Sequence, residues 1–268
     1  MSPSTFSVIG VVHLKSLPGS PRWGGSMTDV VRSAVADAVA YEQGGANAVI
    51  VENFGDVPFT KGRVPAETVA AMAVAGQAVR AAIKLPLGFN VLRNDPLSGL
   101  ALCAACGGEF IRVNVHSGAM LTDQGLIEGD AFNTLRRRRE LGLEHVAILA
   151  DVHVKHAVPL GDQSLAEAAR DTHERGLADA LIVSGFGTGR PTDAADVRVV
   201  REACPGAIIL LGSGVSAANV GDYLPFANGF IVGSSLKRGG RLMAPVDVRR
   251  VAALARAIRG AAPRQRQN

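Results

Sequence analysis

The sequence predicts a (β/α)8 barrel, and three observations predict it. Short apolar runs alternate with amphipathic stretches eight times. Glycines close several of those stretches just before the next apolar run, and no long linker interrupts the series. A doubly wound open sheet is the competing arrangement, but no G-x-G-x-x-G follows the first strand.

Taken in order, the strands are read near 7–13, 47–52, 86–91, 110–115, 146–152, 180–184, 207–211 and 229–232. Helices follow near 28–43, 65–82, 95–106, 129–141, 164–175, 193–203, 216–223 and 246–259. Gly44-Gly45, Gly107-Gly108, Gly142 and Gly176 supply C-terminal caps, because glycine enters the left-handed conformation that ends a helix without penalty. One domain is expected over 1–268, with the barrel at about 7–259 and a basic, disordered tail at 260–268.

Composition narrows the function classes. At 47% hydrophobic with 31 glycines but only 4% aromatic, the core is packed by small aliphatic side chains. The net charge of +4 is local, carried by Arg136-Arg137-Arg138-Arg139 and by the tail from Pro263. Neither segment interleaves aromatic residues with its charges, so no nucleic-acid partner is expected. The arginine cluster reads as a solvated helix face; a weak attraction to an anionic membrane surface or a phosphorylated substrate stays open. Cys103, Cys106 and Cys204 make no disulfide framework, and Cys103-Ala-Ala-Cys106 falls inside a helical pattern, where two small buried residues are expected. No signal peptide is read at the start, and no apolar run approaches the ~20 residues of a membrane span. A cytoplasmic location and a homo-oligomer are expected, with peripheral membrane association left open.

In a barrel of this type, functional groups gather at the C-terminal ends of the strands. Side chains two apart share a strand face. Strand one ends in His13 and Lys15; strand two in Glu52-Asn53; strand three in Asn90. Strand four places Arg112, Asn114 and His116 on one side, and strand five places Asp151, His153 and Lys155 there. Strand six exits through the glycine-rich Ser184–Gly189 loop, which includes Thr188. One or two polar ends would be unremarkable; six point to a site. Glu52, Asp151, His153, Lys155 and His13 are the candidate catalytic groups. Lys15, Asn53, Asn90, Arg112, Asn114, His116, Ser184 and Thr188 are the candidate substrate contacts.

The last two units suggest the substrate class. Strand seven runs into Gly212-Ser213-Gly214 ahead of a predicted helix, and strand eight into Gly233-Ser234-Ser235. Phosphate-binding barrels often use these two loops, where glycine admits backbone N–H groups and a helix N-terminus favours the anion. Lys237 and Arg238 could add charge. The plainer alternative is two tight turns that needed glycine.

With those residues in view, the chain resembles the BtpA family of BtpA/SgcQ-type TIM-barrel proteins. The matching stretches include Gly10-Val-Val-His-Leu14, Val51-Glu-Asn-Phe-Gly-Asp56, Asn90-Val-Leu-Arg-Asn-Asp95, Thr122-Asp-Gln-Gly125, Leu149-Ala-Asp-Val-His-Val-Lys-His156 and Gly233-Ser-Ser-Leu-Lys237. The likeness runs from about Val8 to Val251. Where the family pattern has Asn-Pro-Val-Asp, this chain has Ala244-Pro-Val-Asp247, so a ligand contact by that asparagine would be absent. The resemblance implies a TIM barrel. It also implies either a role in biogenesis of photosystem I or a related membrane complex, or a phosphosugar enzyme.

The residues allow both an enzyme and a surface-acting factor. An isomerase or epimerase would need a base such as Glu52, Asp151 or a histidine next to a carbonyl. An aldolase or lyase could use Lys155 or Lys15 as a Schiff-base amine. No cofactor is required by either, but Glu52, Asp151 and His153 are also candidate ligands for a divalent ion. A non-catalytic assembly factor would depend on surface residues such as Arg136–Arg139, and a phosphometabolite sensor would bind without turnover.

Overall fold

The computed structural model describes residues 8–185, 187 and 191–261. Eight parallel strands close into a barrel. In chain order they are β1 (Val8–His13), β2 (Ala48–Glu52), β3 (Leu87–Asn90), β4 (Phe110–Val113), β7 (Ala147–Val152), β9 (Ala180–Val183), β10 (Ile209–Leu211) and β11 (Gly229–Val232). Each pairs with its predecessor, and β11 returns to β1 through Val8 opposite Phe230. Three further strands, β5 (Ala119–Thr122), β6 (Gly125–Glu128) and β8 (Ala157–Pro159), form a small antiparallel sheet outside the barrel.

The two-residue period of a strand divides the buried residues into two cores. Ile9, Val11, Ala48, Ile50, Phe110, Leu149, Ala180, Ile182, Leu210 and Ile231 fill the barrel interior. Their alternate neighbours, such as Val12, Val49, Val51, Ile111 and Leu181, pack outward against the helices. Full burial of one such aliphatic side chain contributes about 1.5–3 kcal/mol, so the period itself is strongly selected. Continuing each inward series by two residues reaches His13, Glu52, Arg112, Asp151, Ser184, Gly212 and Gly233. The barrel floor is therefore apolar and its mouth polar.

The helices are α1 (Met27–Gln43), α2 (Ala66–Ala82), α3 (Pro96–Cys106), α4 (Ala131–Glu140), α5 (Leu165–Arg170), α6 (Ala194–Ala203) and α7 (Val248–Ala261). Five of them begin at side-chain caps: Ser26, Asp95, Asp130, Ser164 and Asp193 each accept a backbone N–H, and Ser164 with Glu167 completes a capping box. Cys103 and Cys106 lie on α3 as packed thiols.

Two expectations about helices are corrected. The helix over 216–223 is a single 3-10 turn at Val220–Asp222. Its start is diverted by Asn219, whose side chain accepts from Ser216 N (2.8 Å) and Oγ (3.1 Å) and donates to Gly214 O (2.9 Å). The helix over 164–175 ends as α-helix at Arg170 and continues as a π-turn over Asp171–Arg175. The tail beyond 261 lies outside the described residues. Among the described residues no helix is long and apolar enough to cross a membrane.

Candidate active site

At the C-terminal mouth of the barrel is a cleft of about 370 Å³, within the usual range for small-ligand sites. One wall is made by the turns after β10 and β11, Gly212–Ser216 and Gly233–Ser235. His13, Glu52, Arg112 and Lys155 line the same cleft, as do Val11, Ile231, Val232, Pro191, Gly240 and Leu242.

The cleft is braced by an ion pair. Arg112 Nε and one terminal nitrogen donate to the two oxygens of Asp151 at 2.8 Å each, and both side chains are almost fully buried. Ser184 Oγ donates to the same carboxylate at 2.9 Å, and Asn114 Nδ2 approaches it at 3.4 Å. Asn90 Nδ2 in turn donates to Asn114 Oδ1 (2.9 Å) and Arg112 O (3.1 Å). Burial alone would push the guanidinium down, but the adjoining Asp151 carboxylate outweighs it and holds Arg112 above its ordinary pKa. Both oxygens of Asp151 are thereby engaged by Arg112.

Glu52 is the sole acidic side chain lining the cleft among the described residues. It is 6% exposed, and no hydrogen bond is made to its carboxylate among the described residues. His13 Nε2 lies 3.8 Å from Glu52 Oε1. Burial, then the cations Lys237, Lys155 and Arg112, hold the His13 pKa well below its ordinary value, so the ring is neutral and the approach to Glu52 is no ion pair. His13 Nδ1 is buried without a partner. Lys155 is pushed down to about 8, first by burial and then by Arg112, with Glu52 and Asp151 opposing. A carboxylate, a neutral imidazole and a lysine amine therefore share one cleft.

Two glycines make this packing possible. A Cβ at Gly212 would lie 2.5 Å from Ser184 Oγ and 3.2 Å from an Arg112 terminal nitrogen; one at Gly233 would lie 2.7 Å from His13 Cε1. The anion-type wall is built from backbone. The N–H groups of Gly214, Val215, Ser234 and Ser235 donate to nothing among the described residues. Ser235 Oγ donates to Val215 O at 2.5 Å, tying the two turns together. Ser213 Oγ accepts from Gly185 N at 3.0 Å, which ties Gly185 to this turn. Because the predicted helix after this turn is absent, no helix dipole contributes here. Lys237 also departs from expectation: its Nζ is buried 3.4 Å from Asp37, and Arg238 is exposed outside the cleft.

Several predicted contacts are elsewhere. His153 has φ 51°, a left-handed conformation that breaks the strand period. It therefore lies with Ser117, Gln163 and Thr172 outside the cleft, with Nε2 unpartnered. Lys15 is exposed. Asn53 spends its amide on Leu92 N (2.7 Å) and Leu92 O (3.4 Å), clamping two loops. His116 Nε2 is bonded to Gly176 O at 2.8 Å. Thr188 lies outside the described residues. The trio Glu52, Asp151 and His153 does not converge, and no group of three His, Cys, Asp or Glu side chains suited to a metal forms among the described residues.

The sequence reading missed Asn219, which shapes the Gly214–Ser216 turn and lines the cleft. A Ser-x-x-Asn step directly after a glycine turn was the available signal. It also missed Arg93, which donates to Lys155 O at 2.5 Å and fixes that loop.

Fold and cleft together define a TIM-barrel protein with a glycine-rich, two-turn wall at its mouth. The chain belongs to the BtpA family, whose profile matches residues 5–260. It is 49% identical over 251 residues to the photosystem I biogenesis protein BtpA of a Synechocystis strain, covering 94% of this chain and 87% of that one. Among solved structures, it is similar in fold to thiamine phosphate pyrophosphorylase from Pyrococcus furiosus (TM-score 0.61, 13% identity, 97% and 98% of the two chains covered). It is similar also to phosphoribosyl anthranilate isomerase from Thermus thermophilus (TM-score 0.56, 14% identity, 95% and 99% covered).

Proposed function

We propose that this protein is an enzyme acting on a phosphorylated small molecule, a sugar phosphate or nucleoside-like phosphate, by isomerase/epimerase or aldolase/lyase chemistry. One observation carries the reading: Gly214, Val215, Ser234 and Ser235, whose N–H groups donate to nothing among the described residues, line the same cleft as Glu52, His13 and Lys155. Clustered backbone donors suit a phosphate, which needs several hydrogen bonds at once. The reacting carbons would then lie over Glu52. A buried carboxylate that accepts no hydrogen bond is suited to take a proton, and neutral His13 beside it could relay one. Arg112, locked by Asp151, supplies fixed positive charge for an oxyanion developing on the substrate. Two fold neighbours carry a phosphate compound in their names, which agrees with this reading at the level of fold.

A second reading is favoured by the Synechocystis relative's name: a biogenesis factor for a membrane complex, acting through its surface. It needs neither the undonated N–H groups nor the buried Glu52.

A thermal-shift series pairing each sugar with its phosphate tests the enzyme reading, since a ligand bound at 100 times its Kd stabilises by about 2.7 kcal/mol. Phosphorylated members should raise the melting temperature and their sugars should not; no response to any phosphate would remove the reading. Responding compounds are then assayed for turnover.

A further inference from the structure

The loop after β7 is shaped to deliver one side chain. His153 and His156 both adopt left-handed conformations, with φ 51° and 57°. Arg93 donates to the intervening Lys155 carbonyl at 2.5 Å. Left-handed backbone is uncommon for residues other than glycine and persists where the surroundings impose it. The consequence is a swap: His153, next in the strand period, lines a separate small cavity with Asn114, Asp151 and Thr172, and Lys155 lines the cleft instead.

The charges around Lys155 are unbalanced. Of the two strand carboxylates that favour its charge, Glu52 acts more strongly than Asp151, and Asp151 already accepts two bonds from Arg112 and one from Ser184. Lys155 Nζ makes no hydrogen bond or ion pair among the described residues, and both Arg112 and Arg93 act against its charge. A lysine kept only to hold a phosphate would sit among the backbone donors and remain fully charged. This one has its pKa lowered to about 8 and shares the cleft with the Glu52 carboxylate, so about a tenth of the amine is neutral at pH 7.

We propose that Lys155 is a nucleophile that captures the aldehyde or ketone carbon of a phosphorylated substrate as an imine. This rests on the phosphometabolite reading and narrows it to carbonyl compounds. The Nζ lone pair forms a C–N bond while the carbonyl π pair moves to oxygen, which takes a proton from solvent water; that proton is the net charge the iminium later carries. Nζ loses a proton to Glu52. Glu52 returns that proton to the carbinolamine hydroxyl, the C–O bond breaks, and water leaves as the nitrogen lone pair closes the C=N+ bond. Addition of water reverses the sequence, so no oxidant or reductant is consumed. The iminium draws electrons from the adjacent carbon, which assists either proton removal there by Glu52 or cleavage of the next C–C bond.

The test treats the full-length protein with dihydroxyacetone phosphate or ribose 5-phosphate, with and without sodium borohydride, followed by peptide mass mapping. The expected result is a borohydride-dependent adduct on the Lys155 peptide, suppressed by excess inorganic phosphate and lost in Lys155→Met. The map is read on the unmutated protein, so a misfolded variant cannot imitate the loss. Melting shifts with the same two phosphates separate the two ideas. Shifts without a Lys155 adduct overturn the imine and leave phosphate binding standing; neither shift nor adduct overturns both. An adduct spread equally over exposed lysines such as Lys15, and persisting in Lys155→Met, also overturns the proposal.

Discussion

Arg112 grips both oxygens of Asp151 at 2.8 Å, and this one pairing decides how the other charges in the cleft behave. It occupies both oxygens of Asp151 and leaves Glu52 as the acidic side chain that lines the cleft with Lys155 among the described residues.

The pair is nearly solvent-free, at 2% and 0% side-chain exposure. Breaking such a pair from one side strands a buried charge, so Asp151→Ala should cost about 3–5 kcal/mol in urea unfolding. Asp151→Asn, which keeps the Ser184 contact, should cost less. A loss under about 1 kcal/mol in the alanine variant would mean that Arg112 finds another partner, contrary to the single-partner geometry.

Gly212→Ala and Gly233→Ala should act by collision rather than cavity. Each would force a neighbour to move, Ser184 and Arg112 in one case and His13 in the other. Overpacking of this sort costs about 1–3 kcal/mol. Both variants should therefore melt earlier, and an alanine variant as stable as the parent would show that these side chains have room to spare.

Stability should fall in acid through the buried histidines. Folded His13 sits well below its ordinary pKa because of burial, and His116 is lowered by the same cause. Below about pH 6.5 the unfolded chain takes up protons that the folded chain refuses, so unfolding is favoured as pH drops. Each such histidine contributes a slope of up to about 1.4 kcal/mol per pH unit. Urea unfolding at pH 7, 6 and 5 measures this, and His13→Gln should flatten the slope. A variant with the parent's slope would contradict the assignment.

The arginine run separates the enzyme from the surface factor. It is less uniform than a solvated face: Arg136 stacks over Phe132 at 3.4 Å, whereas Arg138 donates to Asp179 at 2.7 Å and to Val146 O at 3.2 Å. Arg138 therefore belongs to the fold. In a host strain deleted for this gene, Glu52→Gln should fail to restore function, and the combined Arg136→Gln, Arg137→Gln, Arg139→Gln variant should restore it. The opposite pattern would favour the biogenesis reading.

The barrel was legible because its signal is periodic and repeated: Ile9-Val11-His13 and Ala48-Ile50-Glu52 announce both the apolar interior and the polar mouth. The sites of failure are local. His153 was placed in the cleft by counting two from Asp151, and a single left-handed residue defeats that count. The helix expected after Val215 was lost to side-chain bonds of Asn219, which compete with the backbone pattern. The β5–β6 hairpin around Thr122-Asp-Gln-Gly125 has strands of four residues, too short for alternation to stand out; Met120 and Ile127 nonetheless share a small core with Val115 and Val154. As polar strand ends Asn53, Asn90 and Asn114 all look like substrate contacts, yet the amides of Asn53 and Asn114 are taken up by a neighbouring loop and by Asn90 and Asp151, and only Asn90 Oδ1 is left buried without a partner among the described residues. Polarity at a strand end marks the mouth of the barrel; only the partners reveal which groups are left for a ligand.

The central claim is that the turns after β10 and β11 hold a phosphate. Titration calorimetry with ribose 5-phosphate and ribose, on the parent and on Ser234→Glu, tests it most directly. The account predicts heat of binding for the phosphate ester alone, displaced by inorganic phosphate, and lost in Ser234→Glu at an unchanged melting temperature. Equal binding of ribose and its phosphate, or undiminished phosphate binding by a folded Ser234→Glu protein, would contradict it.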